Sequence, residues 1–135
     1  MREILFRGKL HNGEWSYGNL SVQMNGVAII TPDDTPLGKY GMVDRESVGQ
    51  FTGLADKNGK RIFEGDVVRV SWHAPRRDTV YEVYEVVYSK SGFFTKQNGK
   101  LFGQISNYIS PNVNMRCEVI GNIHDNPELL EVSNG

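Results

Sequence analysis

The sequence predicts a mainly β, hairpin-rich protein, and three observations carry that prediction. The dipeptide Asn-Gly recurs at Asn12-Gly13, Asn25-Gly26, Asn58-Gly59 and Asn98-Gly99, each time between two strand-like segments. Apolar and polar residues alternate along most of those segments, which is the period of a half-buried strand. Turn signals return about every eight to twelve residues, the spacing of a sandwich or barrel. Asn tolerates positive φ and Gly accepts it freely, so each Asn-Gly is expected to close a two-residue type I′ loop. The fold class is therefore all-β: an N-terminal β-hairpin lobe over residues 1–44, a small SH3-like or OB-like barrel over 45–125, and a short C-terminal helical turn. These form a single domain over 1–130, with a tail at 131–135.

Each element follows from its residues. In the first arm, Glu3–Leu10, the residues Ile4, Phe6, Gly8 and Leu10 alternate with Leu5, Arg7 and Lys9. The return arm Glu14–Leu20 sets Trp15 and Tyr17 on one face, and a second hairpin joins Leu20–Met24 to Val27–Thr31. The run Thr31 to Gly38 holds Pro32 and Pro36 among turn formers and reads as a loop, either a hinge or a contact surface. A third hairpin joins Gly49–Ala55 to Lys60–Phe63, and the turn Glu64-Gly65-Asp66 feeds the strand Val67–Trp72. His73–Asp78 reads as a loop. Val80–Tyr88 also fits a helical face, but its β-branched and aromatic residues favour a strand, with room for a bulge near Glu85. A fourth hairpin pairs Gly92–Gln97 with an arm around Leu101–Phe102. Cys117–Ile123 is the last strand, and Asn126-Pro127 reads as a cap and first position of one helical turn.

Composition bounds the function. A chain of 135 residues can bury about two-thirds of its unfolded surface, enough for one core. Fifteen Lys and Arg against sixteen Asp and Glu give a net charge of −1, which argues against a basic coat over the whole molecule. One cysteine forms no intrachain disulfide, and no His/Cys spacing resembles a zinc cage. The opening Arg2-Glu3-Ile4-Leu5-Phe6-Arg7 interrupts its apolar residues too soon for a signal peptide. No apolar run reaches the roughly 18 residues of a spanning helix, so an intracellular protein with no membrane role is expected.

No catalytic constellation stands out, and neither an enzyme nor a cofactor is expected. Walker, GxGxxG and GxSxG patterns are missing from the sequence. Glu64 and Asp66 could pair as carboxylates or ligate a hard cation, yet turn capping explains them more simply. Asp33-Asp34 lacks the rest of a calcium loop. His11, His73 and His124 are scattered, and a metal role would need them to converge with carboxylates. Cys117 reads as a small buried residue.

The nucleic-acid reading rests on uneven charge. Between residues 69 and 100, Arg69, Arg76, Arg77, Lys90, Lys96 and Lys100 face Asp78, Glu82 and Glu85, a local excess of three positive charges. Trp72, Tyr81, Tyr84, Tyr88, Phe93 and Phe94 interleave with them. Small barrels that bind single strands combine stacking rings with basic grooves, so Arg76, Arg77, Lys90, Trp72 and Tyr84 are the candidate binding residues. The plainer reading, in which alternate aromatics fill the core and the arginines occupy a solvated loop, is preferred.

Three blocks carry a family resemblance. They are Arg2-Glu3-Ile4-Leu5-Phe6-Arg7-Gly8 followed by Trp15, the stretch from Val48 through Thr52-Gly53-Leu54-Ala55-Asp56-Lys57-Asn58-Gly59 to Glu64-Gly65-Asp66-Val67-Val68, and Glu118-Val119-Ile120-Gly121-Asn122-Ile123-His124-Asp125-Asn126-Pro127-Glu128-Leu129-Leu130. In this order they resemble the YopX family of phage- and prophage-encoded proteins. The resemblance implies an uncharacterised phage accessory protein in the cytoplasm of a bacterial host, and it transfers no catalytic residue. The expected function is a non-enzymatic module that binds an unknown host or phage macromolecule and itself as a homo-oligomer, with a nucleic-acid-binding barrel as the alternative.

Overall fold

The computed structural model describes residues 4–32, 41–73, 78–90, 92–109 and 115–133. The chain is mainly β, in antiparallel sheets, and divides into two compact units, Met1–Gly53 and Leu54–Gly135. In the first unit, β1 (Phe6–Leu10) pairs with β2 (Trp15–Val22), β2 with β3 (Ala28–Thr31), and β3 with β4 (Gly41–Ala55). β4 also pairs with β1, which closes a circuit in which Val43 lies opposite both Leu10 and Ala28. Its interior is Ala28, Ile30 and Val43, with Phe6, Leu10, Leu20 and Val48 packed around them. The ring is tight: a Cβ on Gly8 would lie 2.7 Å from Val43 Cγ2, so only glycine fits there. The β1–β4 register slips between Arg7 and Lys9. Ser47 takes up the displaced donor, accepting the Lys9 N–H at 2.8 Å and donating to the Asp44 carbonyl.

The second unit takes the end of β4 through a turn into β5 (Arg61–Phe63). There follow β6 (Asp66–Trp72), β7 (Val80–Ser89), β8 (Gly92–Gln97), β9 (Lys100–Gln104), a 3-10 turn (Ile105–Tyr108), β10 (Met115–Asn122) and α1 (Glu128–Ser133). One sheet runs in the order β10-β6-β7-β8-β9. Ile62, Val68, Val70, Val86, Cys117 and Val119 form its core with Tyr84, Phe93 and Ile105.

The turns correct one expectation. Only Asn98-Gly99 has positive φ at both residues, 54° and 79°, and Gln97 pairs directly with Lys100 there, as a type I′ loop requires. At the other three sites glycine alone is left-handed. Gly13 donates to the Leu10 carbonyl, Gly26 to Gln23 and Gly59 to Asp56, each at 2.9–3.0 Å, which makes these longer loops with glycine in the bulge position. Asn12 and Asn25 act through their side chains, accepting the N–H two residues on.

Other differences are local. β4 starts at Gly41, eight residues before the expected arm, because between Met42 and Glu46 Val43 alone turns inward, too little to read as alternation. β7 keeps register past Glu85, and it is β10 that bulges, between Val119 and Gly121. The 3-10 turn carries too short a pattern to show in sequence. Asn126 does not cap forward; its Oδ1 accepts the Asn122 N–H at 3.4 Å, folding the α1 approach back onto β10. Gly121 permits that, since a Cβ would meet Asn126 Oδ1 at 2.6 Å and Leu129 Cδ1 at 2.8 Å. Of the proline loop expected over Thr31 to Gly38, Thr31 ends β3, and residues 33–38 lie outside the described residues.

Candidate nucleic-acid interface

Strand alternation sorts β6, β7 and β10 into two faces. Val68, Val70 and Trp72 point into the core of the second unit, so Arg69 and Ser71 point out. Directly opposed residues of antiparallel strands share a face. Register therefore sets Glu118 beside Arg69, and both Arg116 and Tyr81 beside Ser71. These side chains, with Lys57, His73 and Thr79, line an open depression of about 430 Å³.

The turn before β5 supplies Lys57. Asp56 is buried, and its carboxylate accepts three backbone N–H groups at 2.9 Å, from Asn58, Lys60 and Val119. Lys57 N–H donates to the Cys117 carbonyl at 3.0 Å. The turn is thereby laced to β10, and Lys57 and Asn58 arrive next to Glu118. Glu118 Oε1 accepts from Arg69 Nη2 at 2.8 Å, and Oε2 meets Lys57 Nζ at 3.5 Å and Asn58 Nδ2 at 3.3 Å. The Asn58 amide foremost, then Lys57 and Arg69, hold its carboxyl below the usual carboxylate range. The Arg69 guanidinium also lies 5.5 Å from the centre of the Tyr81 ring, a cation–π contact, and Tyr81 is 59% exposed. Three cationic side chains thus face one carboxylate beside an exposed aromatic ring. Arg116 makes no ion pair among the described residues.

Of the residues singled out from sequence, those that are described do not line the depression. Arg76 and Arg77 lie outside the described residues. Lys90 is exposed at the β7–β8 connection with φ of 56°, away from the depression. Trp72 is half-buried and meets Tyr108 edge-on at 6.5 Å. Tyr84 is 6% exposed, packed between Phe102 and Tyr108, and burial with the nearby Tyr108 pushes its hydroxyl up to about 12. Trp72 and Tyr84 therefore come together, on the core side. Lys57, Tyr81, Arg116 and Glu118 were missed as a group. The signal for them is the odd-numbered set 69, 71 and 81 facing opposite to 68, 70 and 84, but the pairing that adds β10 is not readable from local pattern.

The remaining chemical candidates are placed by the fold as well. Burial pushes the Cys117 thiol up to about 12, so it is protonated and poorly nucleophilic at neutral pH. The Asp66 carboxylate is buried and accepts the Phe63 N–H at 2.7 Å across the Glu64-Gly65 turn. His11 is exposed in a hairpin turn, His73 is exposed at the rim of the depression, and His124 is half-buried after β10. Among the described residues, no three His, Cys, Asp or Glu side chains gather as a metal ion would require. No helix among them is long and apolar enough to cross a membrane.

Fold and site define a small, mainly β protein with an open cationic and aromatic face on one sheet. The chain matches the family described as YopX protein over residues 7–131, nearly its whole length, and it belongs to that family. It is also similar to a solved structure, protein EF1440 from Enterococcus faecalis, at 27% identity and a TM-score of 0.55, with 96% of this chain and 99% of that chain covered. No curated protein matches it.

Proposed function

We propose that this protein is a non-enzymatic phage accessory protein that works in the host cytoplasm by binding a macromolecular partner, and that the partner is a nucleic acid held on the outer face of β10, β6 and β7. The observation that carries the reading is the gathering of Lys57, Arg69 and Arg116 around an open depression beside exposed Tyr81. Cations neutralise phosphates and exposed rings stack bases, the combination used by single-strand-binding β surfaces. The non-enzymatic part draws on the inert Cys117 thiol and on Asp56 and Asp66, whose carboxylates are spent on backbone donors.

Fluorescence anisotropy with labelled single-stranded DNA, duplex DNA and RNA tests the reading at low and near-physiological salt. Binding that weakens steeply with salt is expected, and no binding at low salt, where charges are least screened, contradicts it. Self-association is a second reading, favoured by one observation: Leu101 and Phe102 are 47% and 55% exposed on β9, at the edge of its sheet. Light scattering that shows a strict monomer at high concentration overturns it.

A further inference from the structure

We infer that Glu118 occupies the seat of a nucleic-acid phosphate, and that a single-stranded ligand binds by displacing its carboxylate from Arg69, Lys57 and Asn58; this rests on the nucleic-acid reading above. The three donors converge on two carboxylate oxygens at 2.8, 3.5 and 3.3 Å, and a phosphate presents the same acceptor chemistry with more charge. Glu118 is attached to an edge strand and its side chain is partly exposed, so its head group can turn to solvent without opening the core. Arg116, two residues earlier on the same strand and face, offers a cation for a neighbouring phosphate. Tyr81 stands across β6 from it, with its ring in contact with Arg69. An unpaired base can stack on such a ring, whereas a duplex keeps its base faces inside the helix, which selects a single strand.

The internal carboxylate sets a threshold on binding. A ligand must supply enough phosphate contact to replace it, so short or weakly charged ligands are rejected while a strand that also engages Tyr81 and Arg116 is accepted. Glu118→Gln removes the competing charge and keeps the side-chain shape. It is expected to tighten binding of a labelled single-stranded oligonucleotide about three- to tenfold at low salt. The salt dependence should also steepen, because in the wild type the displaced carboxylate regains a counterion and so offsets part of the release from the strand. Asp78→Asn makes the same charge change at an exposed position just before β7 and should leave both quantities nearly unchanged. In an Arg69→Ala background the Glu118→Gln gain should vanish. Equal or weaker binding by Glu118→Gln, or an equal gain from Asp78→Asn, overturns the inference while leaving nucleic-acid binding intact. Absence of binding by both wild type and Glu118→Gln overturns the two together.

Discussion

Tyr81 and Tyr84 stand three residues apart on β7, yet one is 59% exposed and the other 6%. An odd offset along a strand puts them on opposite faces, and the two faces of β10, β6 and β7 differ in burial and in chemistry. The inner face stacks Val68, Val70, Val86, Cys117 and Val119 around Tyr84 and holds the second unit together. The outer face sets Arg69, Arg116, Tyr81 and Glu118 along the lining of one depression. The lesson is that an aromatic-rich, basic stretch is not one functional surface. The pleat divides it residue by residue into a half that packs the core and a half that faces outward.

Substitutions on the inner face should break the fold first. Tyr84→Ala is expected to cost about 3–5 kcal/mol, the range for truncating a buried aromatic residue, as read by urea denaturation. Asp56→Ala should cost about 2–3 kcal/mol, because it strands three backbone donors. It also frees Lys57 and Asn58 from Glu118, so a weakened salt dependence of binding should accompany the lost stability.

The alkaline limit of stability also belongs to the inner face. The Tyr84 hydroxyl and the Cys117 thiol both titrate near 12 in the folded protein, above their ordinary values of 10.0 and 9.0. Below about pH 8 both groups are protonated, folded or unfolded, and their contribution is complete. As pH rises through the unfolded values toward 12, only the unfolded chain releases these protons, so stability falls. Melting curves between pH 8 and pH 11 should drop steadily from about pH 9, and a flat profile would contradict the buried placement of both groups.

How much of this was legible beforehand depended on range. The hairpins around Asn12, Asn25, Asn58 and Asn98 were readable, because turn chemistry and alternation are local. The turn types were less so: Asn-Gly looks the same whether Asn is itself left-handed, as at Asn98, or bonds with its side chain, as at Asn12 and Asn25. The site was legible only in part. Arg69 and Tyr81 belong to the basic, aromatic stretch, but Arg116 and Glu118 join them through the pairing of β10 with β6, across more than forty residues. Lys57 joins through Asp56, whose carboxylate reaches Val119. Neither contact leaves a periodic trace in the sequence. Tyr84 was singled out because composition shows a ring without showing which way the pleat turns it.

The smallest stability effects are expected outside. Arg69→Ala and Arg116→Ala should each shift unfolding by no more than about 0.5 kcal/mol, since exposed charges contribute little. Each should nonetheless weaken oligonucleotide binding several-fold in anisotropy titrations.

The division between the two faces is tested most directly by Tyr81→Ala, with urea unfolding and single-stranded oligonucleotide binding measured on the same preparation. The expected result is an unchanged unfolding midpoint with binding weakened about tenfold, the cost of one lost base stack. Unchanged binding, or a loss of stability as large as that of Tyr84→Ala, would contradict it.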